Sequence, residues 1–182
     1  MSEVFIKYIN SVSNKSRFDK KKSVLKYRYV MYWEKHILKE QKMRSYIGFK
    51  NHFMYEDYLN LTNVKHRKAI TRLRISAHNL AIERGRYTYP KTPVEKRLCK
   101  VCNTNEVENE QHFLLHCPLY KEMREDFFTN VGNICPNFAY LEPLQRFNYL
   151  LSAGCDIAKL TSQFICMAFN VRHEYIVGMA DS

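Results

Sequence analysis

Cys99, Cys102, His112 and Cys117 fall within 19 residues of one another in RLCKVCNTNEVENEQHFLLHCPLY, residues 97–120. The spacing is Cys-x2-Cys-x9-His-x4-Cys, and Pro118 follows the last cysteine directly. A Cys-x2-Cys pair can turn both sulfurs towards one metal across a tight loop. A segment folding back over that loop then supplies the other two donors. Three thiolates and one imidazole form a recognised tetrahedral set for Zn2+, and four protein ligands leave no position for a substrate. The expectation is therefore one structural zinc ion, Zn2+, in a knuckle. The competing reading makes the thiols ordinary small core residues. The clustering, the interleaved histidine and the largely polar segment argue against it. His116, beside Cys117, is the alternative imidazole donor. Phe113, Leu114 and Leu115 read as a core stripe that leaves His116 outside.

Composition sets the surroundings of this knuckle. Hydrophobic residues make up 46% of the 182 positions, enough to bury a core, and only 5 Gly and 5 Pro interrupt the chain. That balance favours long helices, and no strand alternation, repeat or low-complexity segment is visible. The expected fold class is mainly α, a helical domain with an embedded Cys-Cys-His-Cys zinc knuckle. No apolar run reaches the length of a membrane span, so no membrane partner is expected. The first residues carry no secretory pattern. With six cysteines, this points to reduced thiols and metal inside the cell, in nucleus or cytoplasm, instead of disulfides.

The net charge of +11 is uneven. Residues 1–98 hold 23 Lys and Arg against 8 Asp and Glu, whereas residues 99–182 hold 6 against 10. A concentrated positive field attracts polyanions, and RNA or DNA is the expected partner; a solvated basic surface is the plain alternative.

Four regions follow from the pattern: a loosely ordered start (1–15), a basic helical region (16–92), the knuckle with its following helix (93–130) and C-terminal apolar helices (131–182). Helical periodicity runs from Ser16 to about Gln41, with Val24, Tyr27, Met31 and Leu38 on one face. Tyr46, Phe49 and Phe53 form a stripe expected in the core. The clearest helix spans about 63–85, capped by Thr62 or Asn63 and ended by Gly85 in the left-handed conformation. Ile70, Leu73, Ala77, Leu80 and Ala81 form its apolar stripe. Arg67, Lys68, Arg72 and Arg74 lie off the stripe, with Arg84, Arg86 and Lys91 beyond. These seven are the expected nucleic-acid contacts, because guanidinium and ammonium groups donate to phosphate. His78, beside the stripe, reads as a satisfied structural imidazole. Thr92-Pro93-x-Glu95 has the form of a capping box. Glu106, Glu108 and Glu110 read as acids at the positive end of a short helix that stops near His116. Helices are expected from Pro118, from Pro143 to Leu151 and from Asp156 to about Val177, with loop between Asn133 and Glu142.

LRISAHNLAIERGRY and CKVC…HFLLHCPLY, within the stretch from Trp33 to Phe128, resemble the region that follows the polymerase core in non-LTR (LINE-type) retrotransposon reverse transcriptases. A weaker likeness continues through FNYLLSAG and the final helix. The resemblance places the family's knuckle ligands on Cys99, Cys102, His112 and Cys117. It implies a module that helps hold template RNA or target DNA beside the reverse transcriptase core. The family's adjacent metal-binding aspartates have no counterpart, since the YEDY run at 55–58 carries one aspartate only. The spaced acids and lysine of the endonuclease found in some relatives have no match after Cys117 either. No nucleophile paired with a base and no phosphate-cradling glycine loop is legible. The sequence thus reads as a non-catalytic nucleic-acid-binding tail or relic. The alternative is a protein-interaction or folding module that docks onto a polymerase or another partner.

Overall fold

The glycine- and proline-free run after residue 16 forms a long helix, α1 (Arg17–Ile37). The computed structural model describes residues 17–180 apart from 38 and 51. The loose start expected for residues 1–15, and Leu38 of the expected α1 face, lie outside the described residues. The chain divides into two compact units, Met1–Gln41 and Lys42–Ser182. Within the first, Val24 and Met31 are exposed and Tyr27 is half-buried.

The second unit is built from α2 (Tyr46–Phe49), α3 (Val64–Arg74), α4 (Ala81–Arg84), α5 (Lys121–Ile134), α6 (Pro143–Ser152) and α7 (Cys155–Ala180). No strand forms among the described residues; the β-type pairing is one isolated bridge, Leu98 to Val107. The mainly helical class holds. α7 is the central helix, because α3, α5 and α6 all pack on it. Burial from several sides explains why Ile157, Ala158, Phe164, Ile165 and Ala168 are all inaccessible. Phe164 stacks on Phe127 of α5 at 4.8 Å, and Phe169 stacks on Phe113 of the knuckle at 4.6 Å. The fully buried rings Phe113, Phe127 and Phe164 each contribute about 1.5–3 kcal/mol through burial alone. Glu142 and Gln145 form a capping box at α6, with Pro143 in the first turn.

Several local expectations are corrected. Asn63 does cap α3, accepting from the amides of Lys65 (2.9 Å) and His66 (3.3 Å). The helix expected to reach residue 85 instead stops at Arg74, and Ser76 takes a positive φ of 52°. The Ser76 hydroxyl donates to Glu110 Oε1 at 2.6 Å, a long-range bond that holds the break. Breaking the helix shifts its phase, so Ala77 is exposed while Leu80 and Ala81 are buried. Gly85 ends α4 at φ −64°, not in the left-handed region. Its glycine requirement is steric, because a Cβ there would meet the Arg97 side chain at 2.6 Å.

The capping box at Thr92 does not form. Thr92 pairs with the Thr88 hydroxyl, and Val94–Lys96 is a 3-10 turn without a side-chain cap. Of the aromatic stripe, Phe49 is buried while Phe53 is exposed. The loop expected between Asn133 and Glu142 contains the end of α5 and a 3-10 turn, Pro136–Tyr140.

Candidate metal centre

Two short backbone devices assemble the four predicted ligands. The first is a hairpin-like return: the Cys99 amide donates to Glu106 O, and the Glu108 amide donates to Arg97 O, each at 2.9 Å. Asn105, at φ 55°, turns the chain between them. Asn tolerates this left-handed geometry better than most residues. Cys99 and Cys102 thus stand on one arm while the other arm leads into the third ligand.

The second device is a π-helical turn, His112–His116, preceded by Asn109, whose Oδ1 accepts from the His112 amide at 2.8 Å. The Cys117 amide donates to His112 O at 2.8 Å, closing a ring over five residues. In an α-helix, residues five apart point about 140° away from each other. The wider turn brings positions 112 and 117 over one another, so the x4 interval serves one metal. Arg124 of α5 fixes the end of this turn by donating to Leu114 O (3.1 Å) and Cys117 O (2.6 Å).

The ligand atoms of Cys99, Cys102, His112 and Cys117 all lie within 4.8 Å of one another. Cys99 Sγ is 4.0 Å from Cys117 Sγ, and Cys102 Sγ is 3.4 Å from His112 Nε2. A tetrahedron with metal–sulfur bonds of about 2.3 Å has sulfur–sulfur edges of about 3.8 Å, and its sulfur–nitrogen edges are about 3.5 Å. The donor set therefore fits a metal ion by both chemistry and spacing. His116 is exposed and outside the cluster, which resolves the alternative imidazole.

The donors share protons among themselves. His112 Nδ1 lies 2.6 Å from Glu106 Oε2, which leaves Nε2 facing the sulfurs. Burial disfavours the His112 imidazolium, but hydrogen bonding to Cys99, Glu106 and Cys102 outweighs it and raises the imidazole to about 9. The Cys99 thiol, donating to Cys117 and buried, is pushed up to about 12, while the same bond draws Cys117 down. Metal capture must displace these protons, so affinity rises with pH. Thr104 Oγ1 lies 3.1 Å from Cys102 Sγ.

The three glutamates read as helix-end charges have different work. Glu106 orients His112. Glu108, buried, receives Arg172 of α7 on both oxygens (2.7 and 2.9 Å) and the Ala81 amide at 2.6 Å. Glu110, also buried, receives Arg44, Ser76 and His78. His78 is thus the satisfied structural imidazole expected. The partners of Glu108 and Glu110 are 27 to 66 residues away along the chain, so no local pattern reveals them.

The seven expected nucleic-acid contacts separate. Lys68, Arg72, Arg84 and Lys91 are exposed. Arg67 is half-buried and donates to Leu61 O at 2.7 Å, and Arg86 Nε lies 3.3 Å from Glu83. Arg74 is corrected outright: at 1% exposure it pairs with Glu56 at 2.6 Å and lies 4.6 Å from the ring centres of both Phe49 and Tyr58. A guanidinium so enclosed is a core cation and cannot reach phosphate. Lys65, absent from the expected set, is exposed beside Lys68. None of the described helices is long and apolar enough to cross a membrane. No protein-family model, curated protein or solved structure matches the chain.

Proposed function

We propose that this chain is a zinc-stabilised nucleic-acid-binding module, akin to the tail of a LINE-type reverse transcriptase, with one Zn2+ on Cys99, Cys102, His112 and Cys117 and no catalysis of its own. The observation that carries this reading is the segregation of charge in the second unit. Glu56, Glu83, Glu108 and Glu110 are all engaged in internal ion pairs. Lys65, Lys68 and Arg72 of α3 face solvent, and among the described residues no carboxylate pairs with them. Those pairs use cations too, among them Arg44, Arg74 and Arg172, so what they leave on α3 is a row of three solvent-facing cations with no carboxylate beside it. The metal's part is to hold the hairpin, the π turn and the buried glutamates that fix α3 and α7.

The test is a titration of labelled RNA and duplex DNA at about 50 and 200 mM salt, with Lys65→Glu/Lys68→Glu/Arg72→Glu as the charge variant. Three phosphate contacts on a single strand predict that log K falls by about 2 per decade of salt. Binding that is absent at low salt, or equally strong at both, overturns the reading. Arg74 must stay out of the variant set, because its loss damages the core.

A second reading, a module docking onto a polymerase core or another protein, has one observation behind it. α1 exposes Leu25, Tyr29, Met31 and Tyr32. Exposed apolar clusters of this kind mark interaction surfaces. Retained RNA binding by the charge variant favours that reading over the first.

A further inference from the structure

α3 and α7 carry matching rows of residues on adjoining faces. Lys65, Lys68, Ala69 and Arg72 follow i, i+3, i+4, i+7 along α3; Cys166, Phe169, Asn170 and His173 do the same along α7. Together with Ala77, His78 and Asn79 from the broken end of α3, they enclose a groove of about 610 Å³. Among the described residues no carboxylate lines it. Lys65 and Arg72 are seven helical steps apart, with Lys68 between them, a row about 10 Å long at the helical rise of 1.5 Å per residue.

His78 is committed to Glu110, but two amides of the groove are not. Asn79 and Asn170 are exposed, and among the described residues neither amide has a hydrogen-bond partner. An amide offers both donors and an acceptor, the pairing that the edge of a base requires. Phe169 is half-buried, held by its stack on Phe113, and its uncovered part lines the groove. An aromatic floor, a cationic rim and free amides make a set suited to unpaired bases, which stack on side chains and present their pairing edges.

Shape decides between strand and duplex. Sequence in a duplex is read by a protein element that protrudes into the major groove. Here the cations rim a concavity of the volume that receives small ligands. An unpaired nucleotide can enter it; a base pair held inside a duplex cannot. We propose that the α3–α7 groove is a binding site for an unpaired nucleic-acid strand, with phosphates along Lys65, Lys68 and Arg72 and a base against Phe169 between the Asn79 and Asn170 amides. This rests on the nucleic-acid reading above and adds the class of ligand and the seat of the base.

Cys166 supplies a built-in reporter. Its Sγ lies in the groove, 3.9 Å from Lys65 O, whereas Cys155 is exposed at the start of α7 beside Asp57 O. The experiment measures affinities for a short mixed-sequence RNA strand, the same sequence as a duplex, and a strand of equal phosphate number lacking bases. Alkylation of Cys166 and Cys155 is followed by peptide mass spectrometry with each probe. The strand should bind about tenfold or more tighter than the other two. It should protect Cys166 and leave Cys155 unchanged, and Asn170→Ala, a solvent-facing change on a helix, should weaken the strand while sparing the baseless probe.

Equal binding of all three probes, or an unprotected Cys166 at saturating strand, overturns the groove and leaves charge-driven binding elsewhere on the surface standing. If no probe binds at low salt, the nucleic-acid reading itself fails as well. If a short poly-glutamate peptide protects Cys166 as well as RNA does, the occupant is an acidic protein segment and the proposal is wrong.

Discussion

Glu106 is a surface carboxylate with a structural task. By holding His112 Nδ1 at 2.6 Å it fixes which ring nitrogen faces the sulfurs. Partners of this kind typically change metal affinity 10–100-fold. Glu106→Gln should therefore weaken zinc by about 10–100-fold in a competition titration against a chelator, with helical content unchanged; an unaltered affinity would remove Glu106 from the account. Glu110 makes a pH prediction. Burial alone would raise its carboxyl, yet the His78 hydrogen bond, the Arg44 charge and Ser76 hold it at about 2, against an ordinary value of 4.5. A lowered folded value stabilises above the unfolded value and loses that contribution as pH falls through the folded one. The contribution is on the order of 3 kcal/mol near neutrality. The stability gap between wild type and Glu110→Gln, read by denaturant unfolding, should narrow from about pH 4.5 towards pH 2. A gap constant over that range would contradict the assignment.

At the scale of elements, what was legible follows from what acts locally. The ligand set, the Asn63 cap and the C-terminal helices rest on spacing and turn chemistry within a few residues. The break after Arg74 does not. It is held by Ser76 and His78 meeting Glu110, more than thirty residues onward. Arg74 looked like a phosphate contact because of its charge, yet it stands four residues on from buried Ile70, on the inner face of α3. Its true partners, Glu56, Phe49 and Tyr58, come from an irregular stretch with no periodic signal. Gly85 ends the short α4 and not a helix running from residue 63, and it does so without a left-handed conformation. Arg97 passes over it, pinned to Ile82 O (2.7 Å) and Thr92 O (2.9 Å), so its side chain cannot easily yield. Overfilled sites cost about 1–3 kcal/mol. Gly85→Ala should lower stability by about that amount in urea unfolding. A neutral or stabilising effect would show that the close approach relaxes freely.

For the whole molecule, the sequence's +15 first half is redistributed by folding. Arg44, Lys50, Arg74 and Arg97 are spent on interior partners, while Lys65, Lys68 and Arg72 remain at the surface. The knuckle stands where these internal pairs converge: Glu108 ties it to α7 and α4, and Glu110 ties it to the break after α3. Its contribution is therefore to the placement of α3 and α7, which carry the proposed binding face. At sites like this, metal-binding energy is folding energy. The most direct test is elemental analysis of reduced, folded protein combined with thermal unfolding before and after a strong chelator. The account predicts about one zinc per chain and a melting temperature lowered by roughly 10 °C or more on chelation. A metal-free protein that is fully folded, with a melt unmoved by chelator, would contradict it.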